Sequence, residues 1–319
     1  MIKKILALIL AMTLVVGLSA CQRDLISQDS TASEGKMLSV VTTIFPPYDF
    51  SREIAGDTVQ LKMLLPPGAE SHSFEPTPQD IITIQNCDIF IYTGGESEAW
   101  VDSILGSMDT SKMQILSMLD MVEVLEEETV EGMQSGDAED GHKYEYDEHV
   151  WTSPVNAQLI VQGIASAMKQ ASPENSELYS ENAGFYIEQL KQLDADFHSV
   201  TDDAPRRTMI FGDRFPFLYF AREYDLDYYA AFPGCSTDTE PDAATVAFLI
   251  DKISREKIPV ILHIEFSNER MADAISDSTG AKKLLLHSCH NVSTADIENG
   301  VSYIMLMRQN IKSLKEALY

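Results

Sequence analysis

Residues 58–95, TVQLKMLLPPGAESHSFEPTPQDIITIQNCDIFIYTGG, contain a strand, a helix and a second strand in succession. Over 58–65 apolar and polar residues alternate with the period of a strand, and Pro66-Pro67-Gly68 breaks it. Thr77-Pro78-Gln79-Asp80 opens a helix with a good cap and proline near its start. The apolar run CDIFIYT at 87–93 then ends in Gly94-Gly95 and reads as the next strand. Upstream, MLSVVTTI at 37–44 is a buried strand stopped by Phe45-Pro46-Pro47, with a helix expected after it. Strands that alternate with helices predict a mostly parallel sheet.

The same alternation returns downstream, with short apolar strands at 208–211, 260–264 and 283–286 and helices about 243–255, 267–279 and 301–318. Between the two series, Ser153-Pro154 caps a helix to about 170, and Ser172-Pro173-Glu174 caps a longer one to about 200. Its apolar positions Leu178, Phe185, Ile187, Leu190, Leu193 and Phe197 follow a helical spacing. The expected architecture is α/β with two lobes, each a mostly parallel sheet flanked by helices: a first lobe at 37–172, a long rigid linking helix at 173–202 and a second lobe at 203–319. Residues 123–148 differ in kind, with eleven Asp and Glu, one Lys and one His and little periodicity, and read as a mobile acidic loop.

The chain starts with Lys3 and Lys4, an apolar run over 5–16 and the small-residue stretch Gly17-Leu18-Ser19-Ala20 before Cys21. Residues 1–20 therefore read as an export signal too short to span a bilayer, Cys21 as the lipid-modified start of the mature protein, and 21–36 as a flexible tether. The 50 Asp plus Glu against 23 Lys plus Arg argue against nucleic acid or anionic lipid as the main partner. A negative field attracts cations, and it is equally the ordinary signature of a soluble secreted protein.

In open α/β sheets, ligands collect beyond the carboxyl ends of the strands, in the crevice between domains. Of the seven histidines, His72 follows the second strand, His149 precedes a helix cap, and His263, His287 and His290 lie at or beyond strand ends of the second half, as does Asp213. Neutral imidazole is the commonest protein donor to zinc, and several imidazoles at one topological edge point to a metal. His142 in the acidic stretch is a weaker candidate, and His198 at the end of the long helix is set apart from the site.

Four stretches resemble the zinc/manganese solute-binding lipoproteins of ABC importers: LLPPGAESHSFEPTPQD at 64–80, DEHVWTSPVNAQLIVQGIA at 147–165, FLYFAREYDL at 217–226 and GVSYIMLMRQNIKSLKEAL at 300–318. The resemblance implies a metal buried between two lobes that move little, with His72 and His149 as ligands. It is looser in the second lobe. The family's His or Glu before its Phe-x-Tyr-Phe segment has only Asp213 nearby here, an expected Asp falls on His287, and an expected Glu falls on His263, with Glu265 two residues on. The implied ligands are thus His72, His149, His287, Asp213 and His263, with Glu265 and His290 in reserve. A nitrogen-rich set favours zinc as the transported ion over manganese. Cys235 and Cys289 are expected to form a disulfide, with metal ligation by Cys289 as the rival reading, and Cys87 is expected to be a small buried residue. No His-Glu-x-x-His motif marks a zinc hydrolase. The expectation is a monomeric, lipid-anchored, extracytoplasmic, non-enzymatic protein that hands its metal to a membrane permease.

Overall fold

The computed structural model describes residues 37–71, 73–134, 146–236 and 241–319. The proposed signal, Cys21, the tether, His72 and His142 lie outside these described residues.

The first lobe holds β1 (Leu38–Thr42), α1 (Phe45–Ala55), β2 (Val59–Met63), α2 (Pro78–Gln85), β3 (Ile89–Tyr92), α3 (Trp100–Leu105) and β4 (Gln114–Ser117). Its strands form one sheet in the order β2-β1-β3-β4, all parallel. The strand patterns explain the order. LSVVT and IFIY are almost wholly buried and occupy the two central positions, whereas VQLKM alternates buried and exposed and sits at an edge. The Thr77 hydroxyl and the Asp80 carboxylate cap α2 reciprocally.

Helices α4 (Pro154–Ala171) and α5 (Ser176–Thr201) follow, the second entered through a 3-10 turn at Pro173–Asn175. The second lobe contains β5 (Thr208–Ile210), β6 (Arg214–Phe215), α6 (Leu218–Glu223), β7 (Asp227–Tyr229), β8 (Phe232–Pro233), α7 (Ala243–Glu256), β9 (Val260–His263), α8 (Arg270–Thr279), β10 (Lys282–Leu285), α9 (Thr294–Glu298) and α10 (Tyr303–Leu318). Parallel pairs β5–β7 and β9–β10 are joined by the bridge between Phe211 and Leu262, which makes the order β10-β9-β5-β7. In both lobes the chain crosses back over its first strand, so each sheet has a switch point at the carboxyl ends of its central strands.

One apolar core runs from Leu38 to Leu318 through both lobes and α5, which contributes Tyr179, Tyr186, Leu190, Leu193 and Phe197. The helical register differs from expectation at two positions: Leu178 is 37% and Phe185 72% exposed, because Tyr179, Ala183 and Tyr186 fill the inward face. Polar contacts also tie the lobes. The Asn291 amide donates to the carbonyls of Pro66 and Ala69, both at 2.8 Å, and the Gly68 N–H donates to the Val292 carbonyl at 2.9 Å. Tyr303 donates its hydroxyl to the Trp151 carbonyl at 2.6 Å. Asp49, buried on α1, accepts the Tyr186 hydroxyl and the Tyr303 N–H; burial, offset by Arg52, leaves its carboxyl at about 6.

The acidic stretch is partly built into the fold. Tyr146 bridges to Glu126, the Gln134 N–H donates to the Ala231 carbonyl at 2.9 Å, and Gly132 lies so close to the Phe248 ring that a Cβ would fall 2.0 Å from it. The reading of 123–148 as a mobile loop is thereby corrected for its two ends; residues 135–145 are outside the described set.

Candidate metal centre

Asp147, Glu148 and His149 enter the interior directly after the bridge at Tyr146, and all three side chains are buried. Main-chain and hydroxyl bonds hold them there. The Asp147 N–H donates to the Leu125 carbonyl at 2.9 Å and the Tyr219 hydroxyl to the Asp147 carbonyl at 2.8 Å. The Ser97 N–H and hydroxyl both donate to the Glu148 carboxylate. The Asp147 Oδ1 accepts the His149 backbone N–H at 2.8 Å and lies 3.2 Å from the ring Nδ1. A carboxylate at Nδ1 keeps the proton on that nitrogen in the neutral ring and makes Nε2 the electron-pair donor. Burial disfavours the imidazolium, but the Asp147, Glu148 and Glu127 carboxylates outweigh it and hold His149 above the usual histidine range. Gly234 makes room beside it, since a Cβ there would meet the Phe215 carbonyl oxygen at 2.8 Å and both Asp147 Oδ2 and His149 Cε1 at 3.1 Å.

From the second lobe, the segment after β10 brings His290 edge-on to His149, with ring centroids 5.3 Å apart and an interplanar angle of 87°. Trp151 packs on both rings, at 5.4 and 5.0 Å, and its indole N–H donates to the Ser288 carbonyl at 2.8 Å. His290 Nδ1 lies 3.2 Å from the Ser71 hydroxyl. Glu265 braces this segment by accepting the backbone N–H groups of Ser288 and His290 and the Ser288 hydroxyl. The result is a cavity of about 30 Å³ lined by Ser71 and His149 from the first half of the chain and by Arg214, Gly234, Glu265 and His290 from the second. Arg214 reaches across it to Glu70 at 3.1 Å.

The sequence-predicted residues separate here. His149 lines the cavity; His72 follows the cavity residue Ser71 in sequence but lies outside the described residues. His287, Asp213 and His263 do not line it. His287 Nδ1 accepts the Cys289 N–H at 3.0 Å. The Asp213 carboxylate is spent on the N–H groups of Arg214 and Ile264 and on Ser267, with burial pushing it above the usual range. His263 Nδ1 lies 3.1 Å from the Ile264 carbonyl. Asp147 and Arg214 escaped the sequence reading; an Asp two residues before a candidate ligand was the available signal for the first.

The expected disulfide is also corrected: Cys235 and Cys289 are both free thiols. They face different surroundings, Cys235 among Glu127, Asp147 and Glu148 and Cys289 near Glu265 and Asp49, and burial pushes both thiols well up. Cys289 does not line the cavity, which leaves the thiolate-ligand reading without geometric support. Cys87 is buried, as its strand-opening position implied.

Residues 40–317 match the family model described as zinc-uptake complex component A, periplasmic. The chain is 32% identical over 314 residues to the zinc-binding lipoprotein AdcA of Streptococcus pneumoniae (strain ATCC BAA-255 / R6), a match covering 98% of this chain and 61% of AdcA. It is also 32% identical over 292 residues to the high-affinity zinc uptake system protein ZnuA of Bacillus subtilis (strain 168), covering 92% and 91% of the two chains. The crystal structure of the Zn(II)-bound ZnuA-like domain of S. pneumoniae AdcA superposes with a TM-score of 0.74 at 30% identity, over 89% of this chain and 99% of that domain. With the matched region running through both lobes and the cavity between them, the chain belongs to the family of zinc-uptake complex component A proteins.

Proposed function

We propose that this protein captures a transition-metal dication outside the cytoplasm, zinc before manganese, and delivers it to the membrane permease of an ABC importer. The observation that carries this reading is the edge-on pair His149 and His290 from opposite lobes, one of them backed by a buried carboxylate, in a cavity of about 30 Å³. Such a volume suits one ion or water, far below the ~300 Å³ and more of sites for organic ligands. His149 and His290, joined by His72 from the loop after Ser71, form the preferred donor set, with Glu265 beside them; His287, Asp213 and His263 take supporting places. Membership of the family supports carriage rather than turnover, and anchoring through lipid on Cys21 as a monomer completes the proposal.

The test is thermal denaturation with and without metal. Free zinc at ~100 times its Kd stabilises the native state by about 2.7 kcal/mol. His149→Ala and His290→Ala are expected to abolish the shift and His263→Ala to preserve it. Equal shifts with magnesium, or none with zinc, would overturn the reading.

A further inference from the structure

We propose a second, weaker zinc-class site on the outer face of the linking helix, made by Asp194, His198 and Glu223. Asp194 and His198 are four residues apart on α5 and so share one helix face, the spacing by which helices present paired metal ligands. Glu223 ends α6. One ligand atom from each of the three residues lies within 4.8 Å of the others.

The surroundings hold this arrangement in place before any ion arrives. The Tyr224 hydroxyl donates to Asp194 Oδ1 at 2.8 Å and its ring packs against that of His198 at 5.1 Å, which pins the end of α6 to α5. The Ser153 hydroxyl, 3.4 Å from Glu223 Oε2, steadies the third carboxylate. Asp202 sits 3.0 Å from His198 Nδ1, and this turns Nε2 toward Asp194 Oδ1, 3.8 Å away. The relation repeats, on the surface, the Asp147–His149 pairing of the cavity, in which a carboxylate on one ring nitrogen prepares the other as donor.

Charge points the same way. Asp194, Asp202 and Glu223 place three carboxylates around one imidazole, and among the described residues neither Lys nor Arg forms an ion pair with any of them. One nitrogen and two oxygens suit a borderline dication such as zinc, whereas calcium requires six to eight oxygens. Three protein donors leave a position for water, and His198 is 42% exposed, so the ion exchanges readily and binds less tightly than in the buried cavity.

The mature full chain titrated with zinc chloride against a chromophoric chelator tests this. Wild type is expected to bind two equivalents of unequal affinity. His198→Gln and Asp194→Asn each lose the weaker one, and His149→Ala keeps it, so failure of the cavity reading leaves this outcome intact. Independently of any variant, the His198 ring resonances of the wild type should shift with zinc and stay in place with magnesium. A single wild-type equivalent that survives His198→Gln, a weaker equivalent that survives His198→Gln, or one lost with His142→Ala overturns the proposal.

Discussion

Replacing Asp147 with Asn tests whether the buried carboxylate prepares His149 as a donor. Asp147 accepts the His149 backbone N–H at 2.8 Å and lies 3.2 Å from Nδ1, and both side chains are buried. Asparagine keeps a neutral acceptor of nearly the same shape, removes the charge and turns the second oxygen into an amide donor. A charge-assisted bond nets ~1.5–3 kcal/mol against ~0.5–1.5 for a neutral one, so the change should cost about 1.4 kcal/mol, or roughly tenfold in zinc affinity. Asp147→Ala strands two buried donors as well, adding ~1–3 kcal/mol and bringing the loss to roughly fiftyfold or more. Competition with a chelator of known zinc affinity at neutral pH measures both, with melting temperatures to confirm folding. If both variants bind zinc within twofold of the wild type, the assignment of Nε2 through Asp147 is wrong.

Gly234→Ala should force the Phe215 carbonyl or His149 to move, costing ~1–3 kcal/mol of stability and weakening zinc binding; melting curves and titration read the two effects. Trp151→Phe removes the N–H bond to the Ser288 carbonyl and strands that buried acceptor while keeping an aromatic ring packed on His149 and His290, for a loss of ~1–3 kcal/mol in urea denaturation. Burial pushes Glu98 from 4.5 up to about 7, so the fold favours its protonated form. Relative to Glu98→Gln, the wild type should therefore hold its stability at low pH and lose roughly 3 kcal/mol as pH rises from about 4.5 through about 7. A difference between the two proteins that stays flat with pH, followed by urea denaturation at several pH values, removes that account.

Much of the architecture is legible in the chain because it rests on local chemistry. Thr77 and Ser153 announce helix starts through bonds to residues three positions on. Central strands such as IFIY are apolar along their length, since parallel strands are covered on both faces. The two-residue strands β6 and β8 and the short helices α3 and α6 carry no such signature and depend on long-range packing, as in the stacked rings of Phe215 and Tyr228, 3.6 Å apart.

The candidate site divides along the same line. Sequence by itself placed imidazoles in loops after strands of both lobes, because strand positions and the loops that follow them are set by local pattern, and the resemblance of its motif marked His149. Only the tertiary structure placed His290, rather than His287, along the cavity wall. Cys289 takes a left-handed backbone with φ of 63°, uncommon for any residue but glycine, and at this reversal its N–H turns back onto His287 Nδ1. His290 then enters the cavity in place of His287, braced by Glu265 from the neighbouring strand end. That backbone state is imposed by contacts distant in sequence, the Asn310 side chain on His287 and the Asn291 side chain on Pro66 and Ala69, and no local pattern of residues encodes it.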